Sequence, residues 1–273
     1  MKILVPLKQT VDPASKLSLQ GDALDLSKAT MLVNQFDEYA LEAALRLVEN
    51  PNELQTRFGE VIAVSIGKKE VEPLLKTALA MGADRAIWVD TGDVTLDSSL
   101  IAKILLQLVK KETIDLVLMG KLSADTESNE VGQRLSALWS VPQATFVSTI
   151  EVLSWGKTLR LGREVDDGIE YKRIDLPSVV TVDLRVIAPR AVQNGKTPAA
   201  YAYNEGPRYA SLKGILAAKK KPLEVISVAS FGLELKPLVE TVKVELPEPR
   251  KAGVKVSSVK ELVAKLKDEA KVL

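Results

Sequence analysis

Short apolar runs alternate with amphipathic segments through the first half of this sequence, and that rhythm leaves few folds open. Lys2–Leu7 predicts a buried strand. Asp37 to Glu49 is predicted helical, because Leu41, Ala44, Leu45 and Val48 fall on one face at helical spacing. Glu60–Ser65 predicts the next strand, ending at Gly67, and the helix after it carries Val71, Leu74, Leu75, Ala78 and Leu79 as its apolar stripe. Pro73 fits that helix only in an early turn, and Gly82 is placed to end it in a left-handed cap. Strand Ala86–Val89, helix Asp97–Lys111, strand Leu116–Met119 and a helix from about Ser128 to Trp139 follow. This alternation predicts an α/β fold: a Rossmann-like, mostly parallel sheet with helices on both faces.

The pattern changes near Pro142. Ala144–Val152, Lys157–Glu164, Ile169–Asp175 and Val179–Asp183 are short runs separated by turn residues, and they predict antiparallel hairpins added to the sheet. Val186 to Gly206 reads as a long loop, punctuated by Pro189, Asn194-Gly195 and Pro198, of a length that is usually functional or mobile. After Lys219-Lys220-Lys221-Pro222 comes an extended arm with Pro237, Pro247 and Pro249, then a last helix opened by a Ser258/Glu261 capping box. The expected organisation is an α/β nucleotide-binding domain with its antiparallel extension over 1–185, an insertion and recognition loop over 186–222, and a C-terminal arm over 223–273 that packs on another subunit.

Residue usage narrows the chemistry. The chain has no Cys and no His, which excludes thiolate catalysis, Cys-ligated metal clusters, the ordinary Ser-His-Asp triad and imidazole acid–base work. Lys and Arg number 37 against 36 Asp and Glu, so no global field draws in nucleic acid or anionic lipid. The start lacks the pattern of a signal or transit peptide and no apolar run approaches a membrane span, so the expected location is the bacterial cytoplasm, or an organelle if a presequence has been removed.

In an open parallel sheet, ligands bind beyond the carboxyl ends of the strands, where strand order reverses. Four segments are expected there: Pro6-Leu7-Lys8, Asn34-Gln35-Phe36-Asp37, Ser65-Ile66-Gly67 and the long stretch from Gly120 to Gln133. The last follows a strand, is rich in small and hydrogen-bonding residues, and leads into a helix whose free N–H groups suit a phosphate. Asp125 and Asn129 would meet sugar hydroxyls or base edges. Turn chemistry alone also produces such a stretch, with Ser128 or Asn129 capping the helix. Neither standard glycine-rich phosphate loop is present. Asp166-Asp167-Gly168 is read as a hairpin turn in preference to a paired-carboxylate site, the lysine run as a solvated patch or a docking surface, and the three tryptophans as structural.

These stretches resemble the β-subunit of electron transfer flavoproteins. The likeness runs in order through Lys2–Lys8, Asn34–Asp37, Glu60–Gly67, Thr77–Arg85, Asp115–Lys121, Trp139–Phe146, Pro177–Arg185, Pro207–Leu212 and Ala252–Leu266. It implies a non-enzymatic electron carrier: a heterodimer with an α-subunit holding most of a shared FAD, and a structural AMP in this chain. The AMP residues it implies are Pro6, Asn34, Phe36, Asp37, Ile66, Gly120, Lys121, Leu122, Ser123, Ala124, Asp125, Thr126, Glu127, Ser128, Asn129, Glu130, Val131, Gly132 and Gln133. For partner recognition it implies Pro207, Arg208, Tyr209, Leu212, Ile215, Lys219 and Lys220, with Leu212 inserting into flavoprotein dehydrogenases such as acyl-CoA dehydrogenases, and a membrane quinone oxidoreductase as acceptor. A family branch that bifurcates electrons binds a second FAD in place of AMP and favours a DGDT-like stretch, which Asp125-Thr126-Glu127-Ser128 does not match. A flavin-independent adenine-nucleotide module is the remaining alternative. The family's tyrosine near FAD is here Pro13, and about Ala188 to Gly206 is an insertion relative to the family pattern.

Overall fold

Residues 3, 4 and 5 of the first strand are wholly buried and point to opposite sides, so helices must cover both faces of the sheet they belong to. The computed structural model describes residues 1–53, 56–198, 200–247 and 252–273. Pro249 of the arm and Ala199 of the long loop lie outside them. In chain order, β1 (Lys2–Pro6) is followed by a ribbon of β2 (Gln9–Val11) with β5 (Met31–Val33) and a hairpin of β3 (Ser18–Gln20) with β4 (Ala23–Asp25). Then come α1 (Gln35–Val48), β6 (Glu60–Gly67), α2 (Glu72–Met81), β7 (Arg85–Asp90), α3 (Ser98–Glu112), β8 (Leu116–Gly120) and α4 (Val131–Trp139). The second half adds β9 (Gln143–Ser154), β10 (Thr158–Val165), β11 (Gly168–Asp175), β12 (Ser178–Val182), the two-residue β13 (Val192–Gln193), α5 (Leu212–Ala218), β14 (Leu223–Ser227) and α6 (Val259–Ala264).

The sheet runs β11-β10-β9-β12-β8-β1-β6-β7-β14, with β13 beside β9. Every pair from β9 through β12 to β14 is parallel, and only β9–β10–β11 is antiparallel. Ile3, Val5, Val61, Ala63, Leu116, Leu118, Val180 and Val182 face α1 and α2. Leu4, Ile62, Val64, Ile87, Val117 and Val179 face α3 and α4. The predicted α/β sandwich is therefore present, and two expectations need correcting. Val179–Asp183 was expected in an antiparallel hairpin, but β12 pairs parallel with both β8 and β9; all five of its residues are buried, as an interior parallel strand demands. The helix expected from Ser128 begins at Val131, and no side chain caps it, because Glu127 and Asn129 have positive φ and keep the preceding stretch out of helical geometry.

Other local signals behave as their chemistry dictates. The Asp97 side chain accepts the Leu100 N–H at the start of α3, Pro73 sits in the first turn of α2, and Gly82 at φ 138° ends it. Val165 pairs with Gly168 across Asp166-Asp167, which is a two-residue hairpin turn. The described residues between Leu184 and Gly206 are held in place despite their loop-like sequence. The Arg46 guanidinium, 1% exposed, donates to the carbonyls of Ile187, Ala188, Asn204 and Gly206 and to Glu42. Buried Asn194 donates to the carbonyls of Arg46 and Glu49 and accepts from the N–H groups of Lys196 and Thr197.

By itself, the stretch Leu17–Leu26 with Val242–Leu273 forms a second, smaller unit. It contains the β3–β4 hairpin, whose Asp22 carbonyl accepts from Val244 N–H, and α6. Ser258 Oγ accepts from Glu261 N–H at 3.2 Å, while the Glu261 carboxylate reaches back to Ser257, one residue earlier than in the standard capping box.

Replacing Arg46 by Leu strips one buried and three part-buried carbonyls of their donor and leaves Glu42 to Arg208 alone. The expected loss is about 3–5 kcal/mol of stability, read from urea unfolding.

Candidate functional site

The chain runs outward from β1 to β6 and β7, then crosses to β8 on the other side of β1, so strand order reverses between β1 and β8. There the sheet splits. The β1–β8 ladder holds only Ile3↔Leu116 and Leu4↔Val117, and the carboxyl ends of the two strands diverge. Into the gap α1 delivers Asp37. One carboxylate oxygen accepts the Lys8 N–H at 2.8 Å and the other accepts the Gly120 N–H at 3.1 Å, so a single side chain takes the place of the missing ladder bonds. A Cβ on Gly120 would stand 2.5 Å from Asp37 Oδ1 and 2.7 Å from Phe36 Cβ; only glycine fits.

Above the split lies a crevice open to solvent. One wall is apolar: Pro6, Val64, Ile66, Ile101, Leu105 and Met119. The other is polar and is made by the segment after β8 and the start of α4. That segment is tied to the rest of the site by side chains. Asn34 donates to the Leu122 carbonyl at 2.9 Å and accepts the Ala124 N–H at 3.2 Å. The Lys8 ammonium donates to Asp125 at 2.7 Å and Ser123 at 3.1 Å. The first turn of α4 presents the N–H groups of Val131, Gly132 and Gln133, which have no helical acceptor. A Cβ on Gly132 would come within 2.8 Å of Thr181 Cγ2, so glycine lets this helix end press against the sheet. Gln133 Nε2 donates to Asn129 Oδ1 at 2.9 Å, leaving its own Oε1 buried and unpartnered.

Of the residues singled out from sequence, Pro6, Asn34, Asp37, Ile66, Gly120, Lys121, Leu122, Ser123, Thr126, Ser128, Asn129, Glu130, Val131, Gly132 and Gln133 line this crevice. Phe36, Ala124, Asp125 and Glu127 do not. Phe36 instead carries the Lys121 ammonium 5.1 Å above its ring, with Asp183 as that lysine's counter-ion at 2.7 Å. Leu7 and Lys8, within the first expected segment, also line it, and the lining residues that lie outside all four segments are Val64, Ser98, Ile101, Leu105, Met119 and Thr181. Those of α3 carried a signal, since a helix that crosses the sheet at the reversal must overhang the crevice. Thr181 carried none, because its strand was assigned to a hairpin. Among the described residues no group of three or more His, Cys, Asp or Glu side chains is arranged to hold a metal ion.

The recognition residues sort differently. Tyr209 is 96% exposed and Leu212 76%, and Ile215, Leu216, Lys219 and Lys220 also face solvent. Arg208 is held internally, paired with Glu42 at 2.7 Å and Glu49 at 2.8 Å, and half-buried Pro207 precedes it. The third lysine of the run, Lys221, donates to the carbonyls of Leu79 and Ala83 at the end of α2.

Burial raises the Asp37 pKa to about 7, against the lowering pull of its hydrogen bonds from Lys8, Asn34 and Gly120. The folded state therefore holds a proton that the unfolded chain releases near pH 3.8, so this group makes stability fall as pH rises from about 4 to 7 and contributes no slope above. At Asp125 burial pushes upward but Lys8 and Ser123 outweigh it, holding the pKa below the ordinary value; that contribution is lost only in acid. Asp37→Asn is expected to abolish the falling limb, measured as the urea midpoint of both proteins between about pH 4 and pH 8. Gly120→Ala is expected to cost about 1–3 kcal/mol by overpacking, read in the same assay.

A model of the electron transfer flavoprotein domain matches residues 24–230. The chain is 42% identical over 275 aligned positions to the electron transfer flavoprotein subunit beta of Bradyrhizobium diazoefficiens, with 100% of both chains covered. It is 41% identical to the mitochondrial subunit beta of Arabidopsis thaliana, again across 100% of both. To the human subunit beta it is 39% identical, over 98% of this chain and 97% of that one. A crevice at a strand-order reversal and an end-to-end match to these relatives lead to one conclusion: the chain belongs to the electron transfer flavoprotein family, among its beta subunits.

Proposed function

We propose that this chain is the nucleotide-holding half of a heterodimeric electron carrier, with an AMP in the β1/β8 crevice and an α-subunit holding most of a shared FAD. One observation carries the reading: a single crevice sets an apolar wall opposite a helix N-terminus, which is what an adenine base joined to a phosphate requires. The residues present fit the group. Pro6, Val64, Ile66, Ile101 and Leu105 would take the base, the N–H groups of Val131 to Gln133 the phosphate, and the orphaned Gln133 Oε1 a ribose or base donor. Asp37 and Asn34 serve indirectly, fixing the sheet split and the 122–124 backbone.

In this reading the chain performs no catalysis. Bound flavin supplies the redox chemistry, which needs neither imidazole nor thiol from the protein. Electrons arrive from flavoprotein dehydrogenases, such as acyl-CoA dehydrogenases, and leave to a membrane quinone oxidoreductase. The chain itself does not enter the bilayer, and no helix among the described residues is long and apolar enough to cross one. Its place would be the bacterial cytoplasm or the mitochondrial matrix, the compartments in which such carriers meet soluble dehydrogenases. The exposed Leu212, Ile215 and Leu216 of α5, beside Lys219 and Lys220, form a small apolar anchor with a basic edge, which suits brief, charge-guided encounters. The arm expected over 223–273, apart from β14, is read as packing on the α-subunit.

Co-expression with the α-subunit followed by nucleotide extraction tests this. One AMP and one FAD per heterodimer is the expected result; two FAD would make the chain part of an electron-bifurcating complex, and an absence of adenylate would overturn the reading. Leu212→Ala is expected to raise the apparent KM for the dehydrogenase by roughly tenfold or more, about 1.4 kcal/mol of lost anchor burial, with nucleotide content unchanged.

A further inference from the structure

A second cavity, open to solvent and sharing no lining residue with the nucleotide crevice, lies between β9 and residues 190–198 and 201–203. Its frame is rigid for physical reasons already described. Arg46 and Asn194 hold the stretch from beneath, Val192 pairs with Ile150 and Gln193 with Glu151, and Tyr203 N–H donates to the Pro189 carbonyl at 2.9 Å. The space is thus built into the fold and is not a gap left by a floppy loop.

The lining has a consistent chemistry. Val152, Val192 and Pro198 supply apolar surface, and Tyr201 packs edge-on against Tyr203 with ring centres 5.0 Å apart. The Arg46 guanidinium lies over the Tyr203 ring at 4.8 Å, while Tyr201 is partly exposed and offers aromatic surface. One polar group is unspent: the exposed Arg190 guanidinium makes no ion pair or side-chain hydrogen bond with any described residue, whereas the shielded Thr197 hydroxyl lies against that of Tyr203. The one acidic lining residue, Glu151, is already paired with Arg160 at 3.3 Å, so the uncompensated charge at the cavity is positive.

We propose that this cavity is a second small-molecule site, taking a monocarboxylate with an apolar or aromatic body. Arg190 receives the carboxylate, for which a guanidinium fork is the best-matched donor, and Tyr201 with Val152, Val192 and Pro198 receives the body. None of these residues belongs to the β1/β8 crevice, so the site stands whether or not that crevice holds AMP.

Benzoate is a suitable probe, observed by saturation-transfer NMR with the full-length chain, with its neutral isostere benzamide as control. Benzoate is expected to bind, benzamide and the Arg190→Gln variant to show binding weaker by about tenfold, and Tyr201→Ala a similar loss. Both positions are on the surface, so the variants should keep the wild-type unfolding midpoint. Saturating AMP should leave benzoate bound. No transfer to benzoate, equal binding of benzamide, indifference to both substitutions, or displacement by AMP would each overturn the proposal.

Discussion

One carboxylate holds the working end of this molecule together. Two parallel strands that diverge would leave backbone N–H groups facing an apolar core, and an unpaired buried donor is costly. Asp37 meets two of them at once, from Lys8 and Gly120, and lets the sheet split without orphaned groups. The split creates the crevice, and neighbouring Asn34 on the same helix entry fixes the segment that walls it. The interaction is bought with desolvation: the acid sits close to neutrality in pKa, a sign that burial outweighs what the N–H groups return.

Helix α1 is consequently the organiser of the fold as well as a layer of it. Its first turn reaches the crevice through Asp37. Its last two turns carry Glu42 and Arg46, and Glu49 follows as the residue that ends it; the three collect Ile187, Ala188, Asn204 and Gly206 through carbonyl contacts and Arg208 through ion pairs. Eleven of its fourteen residues are buried, three of them charged, so little of its surface is left to water. Fully paired charges inside a core add little net stability, but they make the alternatives expensive, and here they specify one path for a long connection.

How much of this could be read from the chain beforehand follows from the range of the forces involved. The β1-to-α4 alternation, the Asp97 cap and the Asp166-Asp167 turn are local, and sequence carries local signals well. The order of β12 in the sheet is not local: Ser178–Val182 is a five-residue, valine-rich run, and whether such a run pairs parallel or antiparallel depends on strands more than thirty residues away. β14 and α5 went unread because they lie among prolines and lysines in a stretch whose pairing partner, β7, is over a hundred residues earlier. The crevice was legible as a rim, since strand ends and a polar helix entry are sequence features. The pairing of Asp125 with Lys8 was not legible, because it joins distant residues that only the fold brings together.

The short exposed helix α5 is tethered at both ends. Before it, Arg208 is gripped by two carboxylates; after it, Lys221 is pinned to the end of α2 and β14 is hydrogen-bonded into the sheet. A segment stapled in this way has little freedom left to surrender, so a protein that lands on it need not wait for it to organise, and need not disorganise it to leave. Such a surface suits a courier, which must let go as readily as it takes hold.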